Sequence, residues 1–413
     1  MSRNRWLAAA LALLLAFGCT GERVTDPGAG GDAPGNEDPG GGDPGGRNEP
    51  VSLRVLGHGP VPERYTAEVA VRDGWAYTTT WGRRTAVGNA VKIWDVSGRT
   101  PVLVDSLIID GATTTGDVQI SDDGALLVVA TEYVPGSIVV FDRSDPARPR
   151  RLSRFQAAST RNGVHTVKLG RVDGRLYAFL AVNPDPPQLV VVDLTEPAAP
   201  EEVLVRPMGN PFVHDVFVRD GLLFTAVWHD GVTIWGIGPP YGGSPSDPVL
   251  LGNVKTVGGS VHNIWLYHDG SSRRYAFVGE ERPGTLGQSS AGDIHVVDLS
   301  DLAAPVEVAF FRLPSAGTHN FVMDEPRGVL YAAYYNGGVV ALDVRGDLGA
   351  CTAAERSEDG RCDLARMGRL IGRGLHDIGQ PVYVWGVQLA GDALYASDML
   401  SGLFKLDVSA LRR

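Results

Sequence analysis

Cysteine is scarce in this chain of 413 residues. Apart from Cys19 there are only Cys351 and Cys362, and the loop between those two offers no further Cys or His to complete a metal site. Basic tracts are missing as well: Lys and Arg number 37 against 48 Asp and Glu, for a net charge of −11. Phosphate contacts need clustered Lys and Arg, so nucleic acid is excluded as a partner. The one marked apolar run, residues 6–17, is shorter than the roughly 20 residues a membrane-spanning helix needs. No helix-period segment of useful length occurs within 51–413, apart from a possible short turn near 351–366. A nucleophile elbow, a phosphate loop and a zincin motif are all lacking, and no Ser/His/Asp arrangement follows from spacing.

The start of the chain is of a different kind from the rest. Arg3 and Arg5 precede the apolar run, which ends in Ala16-Phe17-Gly18-Cys19. A basic start and a short apolar core are the layout of an export signal. The small residue before Cys19 resembles the lipobox of bacterial lipoproteins, although Ala16 stands where leucine is usual and Leu15 lies one step further back. The resemblance implies cleavage before Cys19, lipidation of its thiol and an extracytoplasmic protein anchored to the cell envelope through lipid; without lipidation, the protein is secreted. Residues 20–50 are Gly, Pro, Asp, Asn and Glu with almost nothing apolar, too little to offset ordering entropy. They read as a disordered tether with an end-to-end distance on the order of 30 Å. Three regions follow: a signal at 1–19, a tether at 20–50 and a folded domain at 51–413. In an exported protein, Cys351 and Cys362 read as one disulfide closing a surface loop.

The folded region is repetitive. A β-branched run ending in Asp recurs as VKIWD (91–95), IVVFD (138–142), LVVVD (189–193), IHVVD (294–298), VVALD (339–343) and LFKLD (403–407). A seventh copy, VTIWG (232–236), has Gly236 in place of the acid. Upstream of each lies an alternating segment, then commonly a tight turn and a second short strand. Asp-Gly pairs at 73–74, 123–124, 173–174, 220–221 and 269–270 mark hairpins, because that turn needs positive φ. Downstream there is often a proline turn, as in DPARP, EPAAP and DLAAP. Each unit therefore reads strand a, hairpin, strand b, loop, strand c, proline turn, strand d. Seven tandem four-stranded units predict an all-β, seven-bladed β-propeller of antiparallel blades. The last unit stops after strand c, while VSLRVL at 51–56 is an orphan strand resembling the d strands. The N-terminal strand should complete the last blade and close the ring, removing an exposed edge.

The runs LVVVD and IHVVD with the proline turn behind them resemble the LVIVD repeat family over nearly all of 51–413. That resemblance implies a bacterial extracytoplasmic propeller, often a lipoprotein, and assigns no activity.

Chemistry is expected where strand a begins and strand b ends, on one face of the disc. The residue two before the first apolar position of strand a is His165, His214, His262 and His319 in four consecutive units, followed by Thr166, Asp215, Asn263 and Asn320. The other units carry Ala67-Glu68, Gly116-Asp117 and Trp385-Gly386. The b–c loops add Trp81, Glu132, Trp228, His229, Asp230, Glu280, Glu281, Tyr334, Tyr335, Asn336 and Asp398. Four imidazoles at equivalent places suit a transition metal (Zn, Cu or Fe), with carboxylates beside them. Equivalent histidines are also what duplication of a residue holding blades together by hydrogen bonds would produce. Aromatic loops suit a carbohydrate, peptide or protein ligand, or else pack the blades. The strand-c aspartates sit one per blade, too dispersed for calcium, and should accept N–H bonds in the turn before strand d. Two functions follow. One is an envelope lipoprotein, monomeric, whose propeller binds a ligand or protein partner on this face. The other is a metal-dependent hydrolase, lyase or oxidoreductase using the histidines. If Cys19 is the lipid anchor, Cys19→Ser moves the protein from the membrane to the soluble fraction on cell fractionation; an unchanged membrane fraction contradicts it.

Overall fold

A computed structural model describes residues 49–82, 87–183, 186–209, 212–268 and 274–412. Cys19, the expected signal, nearly all of the expected tether and the 269–270 turn lie outside them. Among the described residues no helix is long and apolar enough to cross a membrane.

Seven antiparallel sheets, mostly four-stranded, form a seven-bladed propeller. Blade 1 comprises Tyr65–Arg72, Trp75–Trp81, Ala90–Asp95 and Val102–Ile108 as strands a to d. Blades 2 to 6 begin with strands a at Thr114–Ile120, Val164–Val172, Asp215–Arg219, Val261–His268 and Phe321–Asp324. Blade 7 comprises Val384–Ala390, Ala393–Asp398 and Gly402–Asp407, completed by Arg54–Pro60. The turn chemistry is as the residues demand. Asp73-Gly74, Asp173-Gly174 and Asp220-Gly221 have positive φ at both positions, whereas at 123–124 only Gly124 does.

Strands b and c are buried along all but an end residue in most blades, while strand d of blade 1 is largely exposed. This explains the unbroken apolar runs of strand c: both faces of a blade are covered, so alternation has no polar side to show. The core is accordingly a ring of interfaces between successive blades. Leu127 and Val129 of blade 2 pack with Tyr77 and Ile93 of blade 1. Tyr395 and Leu403 of blade 7 pack with Val69 and Trp94 of blade 1, which closes the circle. Each strand-c aspartate accepts the backbone N–H two residues on, from Asp95 to Ser97 at 2.9 Å through Asp407 to Ser409 at 3.0 Å.

Two details differ from the sequence-based expectation. The closing strand is Arg54–Pro60, not 51–56; Val51 and Ser52 instead pair in parallel with Gly372 and Arg373 of blade 6. Leu53 is the reason: it is buried between blades 6 and 7, so the chain crosses that interface before joining blade 7. The 351–366 loop is held by the Cys351–Cys362 disulfide and adds a parallel fifth strand, Cys362–Asp363, to blade 5.

Beside that loop, His295 is fully buried on strand c of blade 5. Its Nδ1 lies 2.7 Å from Glu307 Oε1 and its Nε2 3.6 Å from Glu280 Oε2; Arg361 also bonds Glu307. Burial disfavours the imidazolium, but Glu280 and Glu307 outweigh it and raise the pKa to about 8. A raised folded-state value stabilises fully below the unfolded value near 6.5 and is lost as pH rises through about 8. Urea denaturation should show His295→Gln losing on the order of 2 kcal/mol relative to the parent at pH 6 and much less at pH 9. A pH-independent difference contradicts this. Deletion of residues 54–60 should open blade 7 and abolish the single cooperative melt, with aggregation on size exclusion; an unchanged melt would contradict strand-mediated closure.

Candidate metal centre

The inner strands carry their functional side chains on β-bulges. In blade 3, Val164 pairs with Val182 and Thr166 with Ala181, which leaves His165 as the extra residue. In blade 5, Val261 pairs with Glu280 and Asn263 with Gly279, which leaves His262. Blades 1, 2 and 7 shift register at the matching place. A bulge re-aims a side chain and strengthens local twist, and here it turns imidazoles toward the axis. His214 and His319 lie just ahead of their strands, anchored by N–H bonds to Ala226 and Ala333 at 2.7 and 2.8 Å.

The four imidazoles form an unbroken row. Ring centroids are 4.2 Å apart from His165 to His214, His214 to His262 and His262 to His319, and Trp385 of blade 7 continues the row at 4.2 Å. Blades 1 and 2 carry Ala67 and Gly116 there instead of a ring, and in blade 2 the reason is visible. A Cβ at Gly116 would lie 2.3 Å from Glu132 Oε1, so the blade 2 position is kept open for the carboxylate that faces His165. Gly386, one place after Trp385, likewise leaves room for Glu68.

Three donors gather closely enough for one ion: His214, His262 and Glu281, with all ligand atoms within 4.8 Å of one another. Glu281 Oε2 lies 3.7 Å from His214 Nε2 and 3.8 Å from His262 Nε2. Ligands at about 2.1 Å from a tetrahedral ion are about 3.4 Å apart, so little movement is needed. The cluster can coordinate a transition metal. All three residues are at most 2% exposed, and neither ring nitrogen of His262 has a hydrogen-bond partner within 3.5 Å, the Asn263 side chain acting on it only weakly. Burial, then the charge of His165, pushes the His262 pKa down to about 3. Burial, then the neighbouring histidines, holds His214 and His319 well below the usual imidazole range. These three imidazoles are neutral at pH 7, which is the ligand form. His319 gives its Nδ1–H to the Trp385 carbonyl at 2.6 Å, leaving Nε2 with its lone pair. His165 differs: burial opposes its charge, yet Glu132, 3.4 Å from Nδ1, outweighs burial and raises its pKa. Its Nε2 lies 2.9 Å from His214 Nε2.

The row lines a cavity of about 210 Å³ on the propeller axis. Next to the histidines the wall carries Glu68, Asp117, Asp215, Thr166, Asn263 and Asn320, and further along Gln119, Lys168, Trp265 and Gln388. Burial raises the pKa of Glu68 and Asp117, and, with Asp117 nearby, brings Asp215 up to about 7. Lys168 lies over the Phe217 and Trp265 rings, at 5.2 and 5.9 Å. Sequence patterning missed Lys168 and Trp265; both stand three places after the histidine position of their blade.

The b–c loop candidates divide. Glu132 and Glu281 reach the row, Trp228 stacks on His214 at 5.3 Å, and Tyr335 lies 5.0 Å from His319. Glu280 turns away to Arg282 and His295. Asp398 is buried and accepts the Tyr383 N–H and the Ser401 hydroxyl, while Asn336 bonds Ser290 and Ser315. His229 is exposed and Asp230 partly so, 3.9 Å from Lys255, and neither lines the cavity. Trp81, Tyr334 and Tyr335 are buried, so these aromatics pack the molecule and offer no open platform.

A blade-holding histidine would be hydrogen-bonded, and His262 is not. In metal-free protein, His262→Leu should cost no more than about 1 kcal/mol by chemical denaturation, since no bond is lost and an unpaired buried polar group is removed. A loss of about 3 kcal/mol would restore the structural role. Neither a protein-family model nor a curated protein matches the sequence. The likeness to LVIVD repeats rests on motifs alone, and the chemistry of the site rests on its geometry.

Proposed function

We propose that this protein is a metal-dependent enzyme whose centre is built from His214, His262 and Glu281, flanked by His165 and His319, and that it acts on a small polar molecule held in the axial cavity. The observation that carries this is His262: a buried imidazole with both nitrogens unpaired, in donor range of a second imidazole and a carboxylate. Leaving such a group unsatisfied costs roughly 1–3 kcal/mol, and a bound cation offsets that cost. Donor softness favours Zn, Cu or Fe over magnesium or calcium.

A metal there supplies Lewis-acid, water-activating or redox chemistry, which serves a hydrolase, lyase or oxidoreductase. The protein's own groups supply the rest. His165, whose pKa Glu132 raises, stands on the cavity wall beside the centre, where its imidazole can exchange a proton with a substrate as a general acid or base. Four carboxyl groups (Glu68, Asp117, Glu132 and Asp215) against one lysine in the cavity disfavour an anionic substrate. The lipobox-like start supports an envelope-anchored protein working outside the cytoplasm. Binding of a protein, peptide or carbohydrate partner by the outer face has less support, because most of the aromatic loop residues are buried.

Elemental analysis after incubation with Zn²⁺, Cu²⁺ or Fe²⁺ and desalting should find close to one ion per chain. His214→Ala, His262→Ala and Glu281→Gln should each lose it, and His229→Ala should keep it. A metal-free parent, or His262→Ala with full occupancy, would overturn the proposal.

A further inference from the structure

Two b–c loops of this propeller are built alike, and each lays an aromatic ring on a histidine of the row. In blade 4 the segment is Val227-Trp228-His229-Asp230-Gly231; in blade 6 it is Tyr334-Tyr335-Asn336-Gly337-Gly338. The N–H of Val227 bonds Gly231 O at 2.8 Å, and that of Tyr334 bonds Gly338 O at 2.8 Å. The carbonyls of Trp228 and Tyr335 each accept an N–H from the next blade, from Val261 at 3.2 Å and Val384 at 3.0 Å. Both aromatic residues sit at positive φ, 37° and 41°. For a bulky side chain that is a strained conformation, one the surroundings must impose, and it turns the ring back over the axis.

The two loops differ in one respect. Trp228 offers His214 a ring face only, whereas the Tyr335 ring packs on His319 and Tyr383 and its hydroxyl donates to Glu281 Oε1 on the neighbouring blade. Both partners are fully or almost fully buried. Packing alone would be served by phenylalanine. The hydroxyl holds one carboxylate oxygen, which leaves Oε2 as the oxygen facing His214 and His262. A carboxylate pinned in this way binds an ion through one oxygen and keeps a coordination position open.

We propose that Tyr335 is the positioning residue of the metal centre, fixing Glu281 as a one-oxygen ligand. This rests on the metal-dependent function proposed above and adds to it a determinant of coordination geometry. The test is Co²⁺ binding followed by visible absorption, with the full protein and Tyr335→Phe, which keeps the ring and removes only the hydroxyl. The variant should bind Co²⁺ about 10- to 100-fold more weakly. Its absorption band should change in position and intensity as Glu281 moves toward two-oxygen ligation, and the melting temperature of the metal-free protein should fall by about 5 °C at most. Co²⁺ bound within about threefold of the parent with an unchanged spectrum overturns the proposal. So does a metal-free melting temperature lowered by more than about 10 °C, which would make the hydroxyl a structural bond. A parent that takes up no Co²⁺ would instead sink the metal centre itself.

Discussion

Blade-on-blade burial governs this molecule. A four-stranded sheet with two apolar faces is insoluble alone, and the way to cover every face is to stack the sheets in a circle until the last meets the first. The contact of Tyr395 and Leu403 with Val69 and Trp94 completes that circle. Borrowing Arg54–Pro60 to finish blade 7 joins the beginning of the domain to its end. Once the ring is closed, seven innermost strands must converge on one axis. Whatever side chains they carry there are crowded together and shielded from bulk water.

That convergence produces the site. Residues far apart in the chain become neighbours at 4.2 Å because blades are equivalent, and bulges at the start of the inner strands of blades 3 and 5 turn His165 and His262 inward. Crowding also explains how unequal the positions are. Where Gly116 replaces histidine, Glu132 occupies the space and holds His165 basic; where Gly386 follows Trp385, Glu68 enters. Burial then divides the row chemically, with Glu132 raising the pKa of His165 while His214, His262 and His319 are kept neutral.

The fold was legible because its cause is periodic. VKIWD-type runs, Asp-Gly turns, an orphan strand at one end and an unfinished unit at the other each follow from a local rule, and seven copies average out local exceptions. The misplacement of the closing strand by a few residues came from Leu53, whose apolar character fits strand d and an inter-blade crossing equally well. The histidine row was legible for the same reason as the fold. The rest of the site was not. Glu281 and Glu280 are adjacent and alike in the sequence, yet one faces the axis and the other joins His295; alternation separates the two, but which one points to the axis depends on where strand b ends. The bond from Tyr335 to Glu281 crosses between blades, and Tyr335 does so only because its backbone takes positive φ.

The histidines have either been placed to hold an ion or merely been duplicated. Crystals grown with Co²⁺ or Zn²⁺ and measured at the metal's absorption edge decide it. The predicted result is one anomalous peak on the propeller axis, about 2.1 Å from Nε2 of His214 and of His262 and from one oxygen of Glu281. A map with no peak there, at metal concentrations that saturate ordinary zinc and copper proteins, would contradict it.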